Sequence, residues 1–153
     1  MRFCVSDKGI ITEFVLPYFL VTNQSSADAS YIIVLNDDCS QFKAPMASRG
    51  RGVVLLNSDK VLLCGFGFGG DSAQLITYGL NSRACITASS IEEDDVQICL
   101  QRGFTTVSGS EALPQEFSVS TPGLGAYVAM ALAGALLACG IQAPEITKIM
   151  KGI

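Results

Sequence analysis

The chain has no histidine and no tryptophan among its 153 residues, and only 16% of them are charged. Without histidine the usual general base is missing, and with it the Ser-His-Asp and Cys-His forms of nucleophilic catalysis. An enzyme built on this chain would take its base from a carboxylate, a lysine or a terminal amine. A zinc site is also disfavoured, because the six cysteines form no CxxC pair and would have to be gathered from distant positions. No metal and no cofactor is therefore expected. The net charge of −4 comes with no basic run, which argues against nucleic acid as a partner. So little charge on a chain that is 49% hydrophobic implies that part of its surface is covered in an oligomer.

At this length one domain with a good core is expected, spanning residues 1–153. Met1-Arg2-Phe3 leads into the polar turn Ser6-Asp7-Lys8-Gly9 and not into the apolar stretch of a signal peptide, so export by that route is not expected. Cys64, Cys99 and Cys139 sit in apolar runs and read as small buried hydrophobes. Cys4, Cys39 and Cys85 lie near turns. In a reducing compartment they are free thiols; in an oxidising one they are candidates for inter-subunit disulfides.

The C-terminal end is the most informative stretch. A strand at residues 117–120 runs into Pro122-Gly123-Leu124-Gly125, and an apolar helix rich in Ala and Gly follows and stops at Gly140. A second helix starts at Ala143-Pro144-Glu145, where Pro suits the first turn and Glu the positive helix end. Residues 123–141 carry no charge and are long enough to raise a membrane-anchored reading. Half of them are Gly or Ala, with no Trp or Lys/Arg anchors at the ends, which favours a helix buried against a sheet or another helix, and no membrane.

Upstream, residues 2–5 and 10–12 flank a turn and predict a hairpin; 14–21 and 31–35 predict strands; 41–52, with Lys43, Arg49 and Arg51, predicts a loop. Residues 53–56 and 61–66 predict a strand pair around Asn57-Ser58-Asp59-Lys60. A glycine-rich turn at 65–70 precedes a helix expected over 71–81, capped by Asp71. Strand, glycines and helix suggest a phosphate cradle, but no Lys-Ser/Thr follows, and close strand–helix contact explains the glycines better. Residues 83–95 predict a loop whose Glu92-Glu93-Asp94-Asp95 run reads as solvated surface in preference to a metal site. Residues 96–100 and 104–107 predict a hairpin. Strands, helix, strands, helices is an α+β order or a layered sandwich.

Three blocks taken in order resemble the proteasome β-subunit, and in particular the bacterial proteasome-like peptidase of the N-terminal-nucleophile (Ntn) hydrolases. They are Tyr31 through Asp38 (YIIVLNDD), Lys60 through Leu75 (KVLLCGFGFGGDSAQL), and Gly123 through Ala131 (GLGAYVAMA). The resemblance implies an αββα sandwich of two packed β-sheets, with a reduced helical layer, in which residues 1–13 are an N-terminal extension. It implies a nucleophile whose own α-amine is the base, which suits a chain without histidine. Asp37 matches the family's active-site aspartate. The nucleophile's place falls among residues 15–21, which include no Thr, Ser or Cys; Thr12 and Thr22 are nearest. The family's lysine should lie near Gly52 or Val53, where this chain has none; Arg51 is close but a poor base, and Gly123 replaces the family's serine. The resemblance therefore implies a catalytically degenerate relative: a non-catalytic structural or assembly protein whose partners are itself and other assembly proteins, in the cytoplasm or as a viral particle or tail component. The alternative is a threonine peptidase activated by processing at Thr12 or Thr22, supported by Asp37 and Arg51.

Overall fold

The computed structural model of the protein describes residues 2–6, 31–35, 52–60 and 73–151. Its strands, in chain order, are β1 (Arg2–Ser6), β2 (Tyr31–Leu35), β3 (Gly52–Asn57), β4 (Ala73–Tyr78), β5 (Ile86–Ile91), β6 (Asp95–Leu100), β7 (Phe104–Thr105), β8 (Glu111–Ala112) and β9 (Gln115–Ser120), followed by helices α1 (Ala126–Ala138) and α2 (Ala143–Met150). Seven strands form one mixed sheet in the order β1-β2-β3-β4-β5-β6-β9, and β7 and β8 form a small second ladder. The class is mixed α+β, as the element order implies.

Pairing is parallel from β1 through β5 and antiparallel between β5, β6 and β9. The sequence of β3, Gly-Val-Val-Leu-Leu-Asn, is buried at every position. A continuous apolar run of this kind is what a central parallel strand needs, since both of its faces are covered. The strands of the antiparallel wing alternate instead: in β9, Phe117 and Val119 face the core while Glu116 and Ser118 face out. Only Tyr78 and Ile86 are in register between β4 and β5. The start of β5 thus lies beside the end of β4, and the β5–β6–β9 wing projects past the carboxyl ends of β3 and β4.

Helix α1 crosses one face of this sheet, touching β2 through β6, and every residue from Ala129 to Ala138 is buried. Its small residues permit this close approach. A Cβ added at Gly134 would come within 2.7 Å of Ile86 Cδ1 and 3.1 Å of Leu55 Cδ2. The helix ends where a left-handed residue is required: Gly140 has φ +86°, its N–H bonds to Leu137 O at 2.8 Å, and Ile141 N–H bonds to Leu136 O at 3.1 Å. This is the Schellman arrangement that glycine favours. The amphipathic α2 packs on β9 and α1 through Ile146 and Met150, and Thr147 Oγ1 donates to Ser118 O at 2.8 Å. No helix among the described residues is long and apolar enough to cross a membrane, and α1 has 13 residues where about 20 are needed.

Three local expectations are corrected. Residues 73–78, expected as helix, form β4: Gln-Leu-Ile-Thr-Tyr is strand-forming, and Ile76 and Tyr78 are buried while Gln74 is exposed, a two-residue period. The stretch 83–95, expected as loop, contains β5; its Ala-Ser-Ser portion lies on the projecting wing, so its polarity reflects exposure and not a break in the strand. Residues 96–100 and 104–107 do not pair with each other. β6 lies between β5 and β9, and β7 pairs with β8. The expected N-terminal hairpin partner at 10–12, the strands at 14–21 and 61–66, the loop at 41–51 and the glycine-rich turn at 65–70 lie outside the described residues.

Candidate functional site

In open parallel sheets, ligand sites gather outside the carboxyl ends of the strands. Here β3 and β4 end side by side at Asn57 and Tyr78. Because β9 runs in the same direction as they do, the chain leaves it toward the same side and starts α1 there, with Tyr127 in the first turn. Three segments distant in sequence thereby meet: Asn57-Ser58-Asp59-Lys60, Gly79-Leu80-Asn81 and Tyr127.

Asp59 is the centre of the cluster. Its carboxylate accepts hydrogen bonds from Leu80 N at 2.5 Å, Asn81 Nδ2 at 2.6 Å and Tyr127 Oη at 3.1 Å. Asn81 Nδ2 also donates to Ser58 Oγ at 2.7 Å, and Ser58 Oγ donates to Tyr78 O at 3.2 Å. The turn presenting Asp59 is held by Asn57, whose buried Oδ1 accepts from Asp59 N at 3.1 Å. This local side-chain-to-backbone bond is the one that favours Asn at turns. Gly79 permits the approach, since a Cβ there would lie 2.7 Å from Asp59 Oδ2. Lys60 Nζ sits 5.9 Å from the centre of the Tyr127 ring, within cation–π reach.

The electrostatics follow from this geometry. Burial alone would raise the Asp59 pKa, but the bonds from Asn81, Leu80 and Tyr127 outweigh it and hold the carboxyl below its ordinary value. Tyr127 is pushed the other way, by burial first and then by its bond to the Asp59 charge. An ionised carboxylate with three donors is a fastening: it joins the β3 turn, the β4 turn and the start of α1.

Of the residues singled out in the sequence, Thr12, Thr22, Asp37, Cys39 and Arg51 lie outside the described residues. Cys4 lies in β1. Cys85, expected near an exposed turn, is only 8% exposed: it lies beside the start of β5, its thiol donates to Arg102 O at 3.1 Å, and burial raises its pKa. Cys99 and Cys139, expected to be buried, are half-buried. The acidic run is exposed at the β5–β6 turn, which Glu92 N closes onto Asp95 O at 2.8 Å, and Asp94 O accepts from Thr121 N at 2.8 Å. Among the described residues, no three His, Cys, Asp or Glu side chains come together as a metal site. Gly123 lies in the turn before α1 with φ +72° and open space around it.

Beyond the turn at Asn57-Ser58-Asp59-Lys60, nothing in the sequence signals the Asp59 cluster. Its partners Asn81 and Tyr127 lie 22 and 68 residues away, and only the parallel register brings them together. No protein-family model matches the chain, and neither does any curated protein.

Proposed function

We propose that this chain is a non-catalytic assembly domain, a layered α+β module that associates with copies of itself or with other assembly proteins. The observation that carries the reading is the hydrogen bonding of Asp59 at the carboxyl ends of β3 and β4. The charged group that an α/β enzyme would present to a ligand there, Asp59, is committed to Leu80, Asn81 and Tyr127 of its own chain. Leu80, Ile91 and Leu113 are 45%, 51% and 66% exposed in a chain poor in charge, which supports association. The finer expectation, an Ntn sandwich of two packed sheets, calls for a second large sheet. The described residues supply only the β7–β8 ladder in that role, so the proposal rests on the α+β architecture.

The test is the mass in solution. By size-exclusion chromatography with light scattering at micromolar concentration, the assembly reading expects a multiple of 16.1 kDa. A species of 16.1 kDa across that range would sink it. The peptidase alternative, with Thr12 or Thr22 as nucleophile and Asp37 and Arg51 in support, requires processing at one of those threonines.

A further inference from the structure

The antiparallel wing ends in an open edge. Among the described residues β9 is the last strand of the large sheet on this side, and its register with β6 runs from Gln115 to Ser120 without a bulge. Thr121 N bonds to Asp94 O at 2.8 Å, and bonded and non-bonded pairs alternate along an antiparallel ladder. Val119, Phe117 and Gln115 therefore turn their backbone N–H and C=O groups to β6, and Glu116, Ser118 and Ser120 turn theirs outward.

Among the described residues, one bond reaches this outward row. Thr147 Oγ1 of α2 donates to Ser118 O, an oxygen that keeps a second lone pair. α2 packs on the side of the sheet that Phe117 and Val119 face, and Glu116 and Ser118 are exposed on the other side. β9 itself carries no proline, no lysine and no bulge, the usual devices that blunt an exposed edge.

A row of outward backbone donors and acceptors is completed by another extended strand. The residue pattern of β9 suits its own copy. Paired antiparallel about a two-fold axis at Ser118, Glu116 lies opposite the partner's Ser120, and Phe117 opposite the partner's Val119, an aromatic and β-branched pair. The two Glu116 carboxylates then stand at opposite ends of the pairing. An axis at Phe117 would make them diagonal neighbours of like charge, and one at Val119 would shorten the overlap. We propose that β9 pairs antiparallel with β9 of a second copy about Ser118, joining the two sheets into one. The proposal rests on the assembly reading and names its contact surface.

The test is the dissociation constant of the full chain's dimer, from light scattering on dilution. Each substitution acts twice in a two-fold pair. Ser120→Glu sets a carboxylate opposite the partner's Glu116 and should weaken the dimer about fivefold; Ser120→Lys sets an ammonium there and should tighten it about as much. Glu116→Lys combined with Ser120→Glu should restore the parent value. Ser118→Pro removes an outward N–H, leaves the β6 ladder intact and should give a folded monomer by circular dichroism and light scattering. Equal affinity in the parent, Ser120→Glu and Ser120→Lys overturns the proposal whether or not Ser118→Pro folds, and so does a folded Ser118→Pro that still dimerises. A parent that assembles regardless of these changes removes only the β9 contact; a parent that stays monomeric at micromolar concentration removes the assembly reading with it.

Discussion

Asp59 sets the behaviour of the fold at the scale of single residues. Its folded pKa lies below the ordinary value, so the stability it contributes is present above the unfolded pKa, near 4, and is lost as pH falls through the folded one. Asp59→Asn should cost about 1 kcal/mol at neutral pH, or about 3 °C in melting temperature, and should flatten the acid limb of the stability curve. A variant that melts with the parent and keeps its acid limb would show that the three bonds contribute nothing. Tyr127→Phe keeps the ring under Lys60 and removes only the hydroxyl donor, so a smaller loss of about 0.5 kcal/mol is expected in the same melts. Tyr127 should titrate above the ordinary tyrosine range, and Asp59→Asn should lower it, read as a change in tyrosinate absorbance between parent and variant. Thiol chemistry belongs to this scale too. Burial pushes Cys139 up to about 12 and raises Cys85. Both should stay unmodified by a thiol reagent at neutral pH until denaturant is added, and rapid labelling of either in the native protein would contradict their placement.

Among the elements, α1 is where sequence and structure agree best. A strand, a Pro-Gly turn, a helix of small residues, a stop at Gly140 and a helix opening on Ala-Pro-Glu were all readable, because each signal is local: a turn residue, a cap, a proline at the first helical turn. β4 resembles a helix in sequence because Asp71-Ser72 before an Ala-Gln-Leu run imitates a capped start, and the alternation of Ile76 and Tyr78 is too short to mark a strand. β6 was paired with the wrong neighbour because the nearest strand-like run, 104–107, is local, whereas its actual partner β9 lies beyond the β7–β8 excursion. The Asp59 cluster could not be read at all, since no local pattern encodes a meeting of two strand ends with a helix. Two changes test the helix packing. Gly134→Val should cost about 1–3 kcal/mol by overpacking against Ile86 and Leu55, whose side chains are both fully buried. Gly140→Ala should cost about 1 kcal/mol, because alanine must take the left-handed conformation there. Both are read from denaturant melts, and a neutral Gly134→Val would mean that α1 does not approach the sheet so closely.

At the scale of the whole molecule, a parallel half-sheet carries an antiparallel wing beyond its carboxyl ends, and the corner between them is fastened by Asp59. The central strand β3 is buried on both faces, whereas β9 in the wing keeps a polar face with Glu116 and Ser118. The central claim is that this architecture serves assembly and not catalysis. The most direct test is the intact mass of the purified chain under non-reducing conditions. The account predicts 16.1 kDa for the chain, with no cleavage inside it. A mass equal to residues 12–153 or 22–153 would expose an N-terminal threonine and contradict it.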